Sequence, residues 1–129
     1  MNYTSASFVS TTAPGGICGG YFNNLSGNFT SPNYPSSYPN NADCYYYMVV
    51  PNGYTITISI PNFASESCCD YLKIYDGGSV NNTLALELRG TVSASTSYST
   101  SNKLTLHFHS DFSIVNSGFL ATYKSNSPG

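Results

Sequence analysis

Side chains able to do chemistry are scarce in this chain of 129 residues, so their placement is informative. The carboxylates number six, at Asp43, Glu66, Asp70, Asp76, Glu87 and Asp111, beside two histidines and four cysteines. His107 and His109 stand two apart, so on a strand they share one face, and Asp111 continues the same alternation. A His-x-His pair on a strand can ligate zinc, while two partly exposed histidines are the plainer reading. A Ser-His-Asp assembly lacks its setting, because no Gly-x-Ser-x-Gly elbow is present and these histidines and Asp111 lie along one strand. Glu66 and Asp70 are the best available carboxylate pair for glycoside hydrolysis, and nothing around them marks a sugar cleft. The chain is therefore expected not to be an enzyme. Asp76 reads as a turn residue before Gly77-Gly78, and Asp43 and Glu87 as surface charges.

Tyrosine is a second source of chemistry. Tyr34, Tyr38, Tyr45, Tyr46 and Tyr47 cluster in sequence, and such rings stack on sugar faces or anchor protein interfaces. Strand alternation sends Tyr46 and Met48 to one face and Tyr45 and Tyr47 to the other. The four cysteines allow three pairings and suit an oxidising, extracellular setting. The Cys68-Cys69 dipeptide lacks the two-residue spacer of Cys-x-x-Cys zinc sites, and no other cysteine pair completes a tetrahedral set.

The elements that must position these groups are strands. Tyr45 to Val50 and Tyr54 to Ile60 are separated by the turn Pro51-Asn52-Gly53, and Tyr54, Ile56, Ile58 and Ile60 share one face of the second run. Asp70 to Tyr75 closes on Asp76-Gly77-Gly78, Leu104, Leu106 and Phe108 alternate with polar residues, and Phe119 to Tyr123 is the last strand. No stretch keeps a helical period, and short strands about ten residues apart predict a sandwich or barrel. One domain fits the length. Residues 1–17 read as a polar linker or stalk remnant with Phe8 and Val9 the one hint of a strand, residues 18–125 as the domain, and 126–129 as a tail. Hydrophobic residues make up 40%, enough for a core, whereas only 8% are charged and Lys plus Arg number four. That argues against nucleic-acid binding, which needs clustered cations. No apolar run has the length of a membrane span, so no membrane insertion is expected, and the N-terminus lacks a signal-peptide layout.

An ordered set of motifs resembles the CUB domain family. It begins with Cys18-Gly19-Gly20, Leu25-Ser26-Gly27-Asn28-Phe29-Thr30-Ser31-Pro32-Asn33-Tyr34-Pro35, Tyr38-Pro39-Asn40-Asn41 and Cys44. It continues with Pro51-Asn52-Gly53-Tyr54, Phe63 with Glu66, Asp70-Tyr71-Leu72-Lys73-Ile74-Tyr75-Asp76-Gly77, Ser110-Asp111-Phe112-Ser113 and Gly118-Phe119-Leu120-Ala121-Thr122-Tyr123. The resemblance covers about Cys18 to Lys124 and implies an all-β fold, a jelly-roll-type β-sandwich of two antiparallel sheets. It implies a disulfide between Cys18 and Cys44. The family's second bridge has no counterpart, since Arg89 precedes Gly90 where a cysteine usually stands, which leaves Cys68 and Cys69 to bridge each other or to remain buried thiols; the vicinal bridge is favoured.

The resemblance also implies a Ca2+ site. Glu66, Asp70 and Asp111 fall on the motifs that bind calcium in one branch of the family, Ser113 would add a main-chain carbonyl, and Ile114 stands where an Asn often helps. Calcium takes about six to eight oxygen ligands, which three carboxylates, carbonyls and waters can supply. The family glutamate and first aspartate are separated by a longer loop than Ser67, Cys68 and Cys69, and the tyrosine that supports the glutamate has its place at Ser26, with Tyr21 or Tyr34 as substitutes. In the family such a site binds a lysine of a partner protein.

The resemblance thus implies an extracellular or cell-surface binding or adhesion module for a protein ligand. The alternative is a metal-independent carbohydrate-binding or adhesin tip domain using Tyr45 and Tyr47, which the family places on the exposed face. A place at the tip of a larger, oligomeric protein would offset weak single-site affinity through avidity.

Overall fold

Alternating apolar residues dominate the strands of the computed structural model, which describes residues 11–13 and 16–128, with side chains from residue 18. No helix occurs among the described residues. One sheet has six strands. At its centre β13 (Gly118–Asn126) pairs with β6 (Thr55–Ile60), with β4 (Ser26–Thr30) and with β7 (Phe63–Ala64), while β11 (Ser95–Tyr98) and β10 (Thr91–Val92) close its edges. The other has five strands in the order β3 (Gly20–Phe22), β5 (Asp43–Val49), β12 (Lys103–His109), β8 (Tyr71–Asp76) and β9 (Thr83–Leu88). All pairs are antiparallel except β3, which runs parallel to β5. A hairpin of β1 (Thr11–Ala13) and β2 (Gly16–Cys18) precedes the sheets, beginning in the segment read as a linker and ending on Cys18, the first residue of the expected domain. Phe8 and Val9 lie outside the described residues. At the other end β13 runs one residue past the expected boundary, and the Asn126 side chain donates to Thr55 Oγ1 and Thr57 Oγ1.

The inward faces meet in one core. Ile56, Ile58, Ile60, Phe119, Ala121 and Tyr123 come from the first sheet, and Tyr46, Met48, Leu72, Ile74, Leu104, Leu106 and Phe108 from the second. Phe119 stands edge-on to Tyr46 and Phe108 at 5.9 and 5.5 Å, and the Tyr46 hydroxyl donates across the gap to Thr30 O at 2.8 Å. The Cys18–Cys44 disulfide ties the chain before β3 to β5, with Cα atoms 5.3 Å apart. Gly118 enters β13 with φ of +80°, where a Cβ would lie 2.0 Å from Ser31 Oγ, so only glycine fits there.

Candidate functional site

Glu66 follows β7 of one sheet, Asp70 immediately precedes β8 of the other, and Asp111 follows β12. The three carboxylates meet at one end of the sandwich, with one oxygen from each inside a 4.8 Å cluster. The short loop suffices because it is a single turn: the Asp70 amide donates to Glu66 O at 3.2 Å across Ser67, Cys68 and Cys69. Cys68 and Cys69 are bridged to each other, and Arg89 Nη1, just after β9, donates to Cys68 O at 2.9 Å and holds the turn. Ser65 and Gly90 add a reciprocal pair: the Ser65 amide donates to Gly90 O, and the Gly90 amide to Ser65 Oγ.

Asp70 is fully buried, and its two oxygens are spoken for by different elements. Oδ2 accepts the Tyr38 hydroxyl at 2.6 Å and Oδ1 accepts the Asp111 amide at 2.9 Å. The same Tyr38 oxygen accepts the Glu66 amide at 3.2 Å. Tyr38 is buried against the edge of Phe108, with ring centroids 4.9 Å apart, and its own amide donates to Asn116 O. Burial and the bond to Asp70 push its phenol far above the ordinary range, so it remains a donor. Neither Tyr21 nor Tyr34 supports the cluster. Tyr21 stacks on Tyr47, and the supporting residue is Tyr38, one of the clustered tyrosines that sequence reasoning read as a general platform.

Asp111 is set by its own loop. Its carbonyl accepts the Asn41 amide at 2.7 Å and its Oδ1 accepts the Ser113 amide at 3.2 Å. Ser113 thus enters the site through its amide. The loop that follows Asp111 exposes Phe112, Ile114 and Val115. Ile114 has φ of +63°, a left-handed conformation that a β-branched residue adopts only under strain.

The donor set fits a hard cation. Glu66 Oε1 is buried and has no hydrogen-bond partner, and among the described residues no Lys, Arg or His pairs with Glu66, Asp70 or Asp111. Three converging carboxylates without a counter-charge are costly to ionise together, and a cation relieves that cost. Accordingly, burial, then the charge of Asp111 and a carboxyl–carboxyl contact with it, and last the charge of Asp70 hold the Glu66 carboxyl above the usual range.

The other expected site residues lie elsewhere. Tyr45 and Tyr47 are half-buried on the outer face of the five-stranded sheet. Tyr47 is stacked on Tyr21 at 4.9 Å and faces Tyr45 at 6.4 Å, while Tyr45 is stacked on His107 at 4.3 Å, so their faces cover one another. Burial raises both phenols, with Asp43 adding at Tyr45 and Tyr21 at Tyr47. His107 and His109 do share the outer face, but β12 ends at His109 and Asp111 turns into the carboxylate cluster. Their acidic partner is Asp43, read from sequence as a surface charge: His107 Nε2 and His109 Nδ1 each lie 2.8 Å from Asp43 Oδ1. Burial lowers the His107 imidazole below its ordinary value, against the opposing pull of Asp43. Asp76 binds the amide and hydroxyl of Thr100, and Glu87 pairs with Arg89.

The described residues form a disulfide-linked β-sandwich with an acidic cluster at one end. The chain belongs to the CUB domain family, whose family model matches residues 18–123. Such domains are generally non-catalytic and typically extracellular protein-binding modules. Among relatives, human CUB and zona pellucida-like domain-containing protein 1 is 39% identical over 112 residues, covering 84% of this chain, and human cubilin is 40% identical over 108 residues, covering 80%. The chain spans 18% of the first and 3% of the second. Among solved structures, the full extracellular region of zebrafish Gpr126/Adgrg6 matches with a TM-score of 0.77 and 30% identity, over 85% of this chain and 15% of that one. The MASP-1 CUB2 domain bound to Ca2+ matches with a TM-score of 0.71 and 27% identity, over 81% of this chain and 96% of that domain.

Proposed function

We propose that this domain binds a protein ligand outside the cell through a calcium site made by Glu66, Asp70 and Asp111, with the Ser113 carbonyl as a further ligand. The observation that carries the reading is the convergence of three carboxylates around a buried, unpartnered Glu66 Oε1. The Ca2+-bound MASP-1 CUB2 neighbour supports it. Calcium would supply the positive charge that lets the three carboxylates stay ionised together and fixes the loops that carry them. Tyr38 holds Asp70 and the Glu66 backbone, the Asp70 carboxylate holds the Asp111 backbone, and the disulfide-bridged turn sets the spacing between Glu66 and Asp70. A carboxylate so oriented keeps lone pairs for the ammonium of a partner lysine. The exposed Phe112 and Ile114 offer apolar surface for that lysine's alkyl stem.

The second reading, glycan stacking on Tyr45 and Tyr47 without metal, draws less support, because neighbouring rings cover their faces. The test is a thermal melt of chelator-treated protein over a calcium titration. At tenfold excess over the dissociation constant, linkage predicts about 1.4 kcal/mol of stabilisation, or several degrees. A saturable rise that Asp111→Ala removes supports the reading. A flat response overturns it and turns attention to glycan screening with Tyr45 and Tyr47 variants.

A further inference from the structure

We propose that Asp43, His107 and His109 form a second metal site, on the outer face of the five-stranded sheet, for a first-row divalent cation of zinc type. The donor set is two imidazole nitrogens and one carboxylate oxygen, with a fourth position left to solvent. It is separate in chemistry from the all-oxygen cluster of Glu66, Asp70 and Asp111 and does not depend on calcium binding there.

Strand register builds the site. Asp43 on β5 pairs directly with His109 on β12, and His107 follows two residues earlier on the same face. Both ring nitrogens aim at one oxygen: His107 Nε2 and His109 Nδ1 each stand 2.8 Å from Asp43 Oδ1. Three ligand atoms within 4.8 Å of one another can close on a cation about 2.0 to 2.2 Å from each with small side-chain shifts. Without metal these two nitrogens carry the protons they donate to the Asp43 carboxylate; on metal binding each N–H proton is released to solvent and the opposite ring nitrogen is protonated from solvent, so each imidazole stays neutral and the aimed nitrogens become lone-pair donors.

Two solvated histidines would not be held this way. His107 lies in register with Tyr45, and the two rings stack at 4.3 Å with an interplanar angle of 8°. His109 lies in register with Tyr71 and stacks on it at 5.0 Å, while the edge of Tyr71 meets His107 at 5.5 Å. The rings are therefore clamped before any ion arrives, which lowers the entropy cost of assembling the ligands. Access is retained, because the side chains of His107, His109 and Asp43 are 12%, 31% and 50% exposed. The Lys73 ammonium and Arg89 guanidinium lie 4.4 and 5.0 Å from the centroid of the Tyr71 ring, and their charges moderate the affinity for a cation.

The test is calorimetric titration of Zn2+ into tag-free protein, in saturating calcium so that the carboxylate cluster is held constant. One Zn2+ per chain is expected, with His109→Gln and Asp43→Asn each weakening binding by about tenfold or more and Glu66→Gln leaving it unchanged. Co2+ in place of Zn2+ gives an independent readout on the unaltered chain, through the visible absorption of a four-coordinate site, and so decides the matter even where a variant folds poorly. No saturation by about 1 mM Zn2+ overturns the proposal. So does binding that survives both His109→Gln and Asp43→Asn, or binding that Glu66→Gln abolishes.

Discussion

The Tyr38 hydroxyl donates to Asp70 Oδ2 at 2.6 Å and accepts the Glu66 amide at 3.2 Å, so one buried phenol ties together residues on the two sides of the disulfide-bridged turn. Asp70 in turn accepts the Asp111 amide, which brings the third carboxylate into the same chain of bonds. The carboxylate cluster is thus anchored in the core through Tyr38 and Phe108, although Glu66 and Asp111 sit on loops.

Tyr38→Phe keeps the ring contact with Phe108 and removes the donor from a fully buried carboxylate. A loss of about 1 to 3 kcal/mol is expected in chelator. The calcium-dependent rise in melting temperature should shrink too, because Asp70 is then free to turn away. A variant with unaltered calcium stabilisation would show that Tyr38 serves packing alone. Asp70→Ala is a poorer probe, since it strands both the Tyr38 hydroxyl and the Asp111 amide.

Glu66→Gln should stabilise the metal-free domain while removing its response to calcium. Burial and the Asp111 and Asp70 charges raise the Glu66 carboxyl above its ordinary value in the folded chain. The folded state therefore binds more protons than the unfolded state, and this residue's contribution to stability falls as pH rises through the folded value. At neutral pH the penalty is fully present, and it is relieved as pH falls toward the ordinary carboxyl range. Melts in chelator at about pH 5 and pH 7.5 should show a wild-type loss toward neutral pH that the glutamine variant lacks. With calcium present the sign reverses, because protons compete with the ion.

The strands that alternate cleanly were legible in the sequence, and those that do not were not. β6 and β12 carry their apolar residues at every second position, whereas β11 is the polar edge segment Ser95–Tyr98 and β9 leaves Leu84 exposed beyond a register shift in its pairing with β8. β7 and β10 are two residues each, too short for any period. At the site, the three carboxylates lay on ordered motifs. Tyr38 did not announce itself, because it reaches residues 28 and 32 positions away only through the path of the loop after β4. Asp43 read as a surface charge because its histidine partners are set by cross-strand register, 64 and 66 residues distant.

Ile114→Asn should raise the melting temperature in chelator and tighten calcium binding. Ile114 is 66% exposed, so its side chain contributes little burial, and its φ of +63° carries a strain of about 1 to 3 kcal/mol. Asparagine tolerates that conformation and adds an oxygen at the position where the family often places one. Ile114→Gly separates the two effects: it should share the thermal gain and not the gain in calcium affinity. A less stable asparagine variant would mean that the loop is not strained at this residue.

Mild reduction should open Cys68–Cys69 before Cys18–Cys44 and weaken calcium binding more than it weakens the fold. Cys68 is exposed, whereas Cys18 and Cys44 are 5% and 0% exposed, and thiol exchange requires access to a sulfur. The two bridges also do different things. Cys18–Cys44 closes a separation of 26 residues and constrains the unfolded chain by about 3 to 4 kcal/mol, while a bridge between neighbours closes no loop of chain and acts on local geometry. That geometry is the turn carrying the Asp70 amide to Glu66 O. Graded reduction, alkylation and mass measurement should therefore show a two-label species whose melting temperature in chelator is nearly unchanged and whose calcium titration is shifted to higher concentration. A four-label species forming directly would contradict the order argued from exposure. A two-label species with unaltered calcium affinity would show that Arg89 and the Ser65–Gly90 pair hold the turn without the bridge.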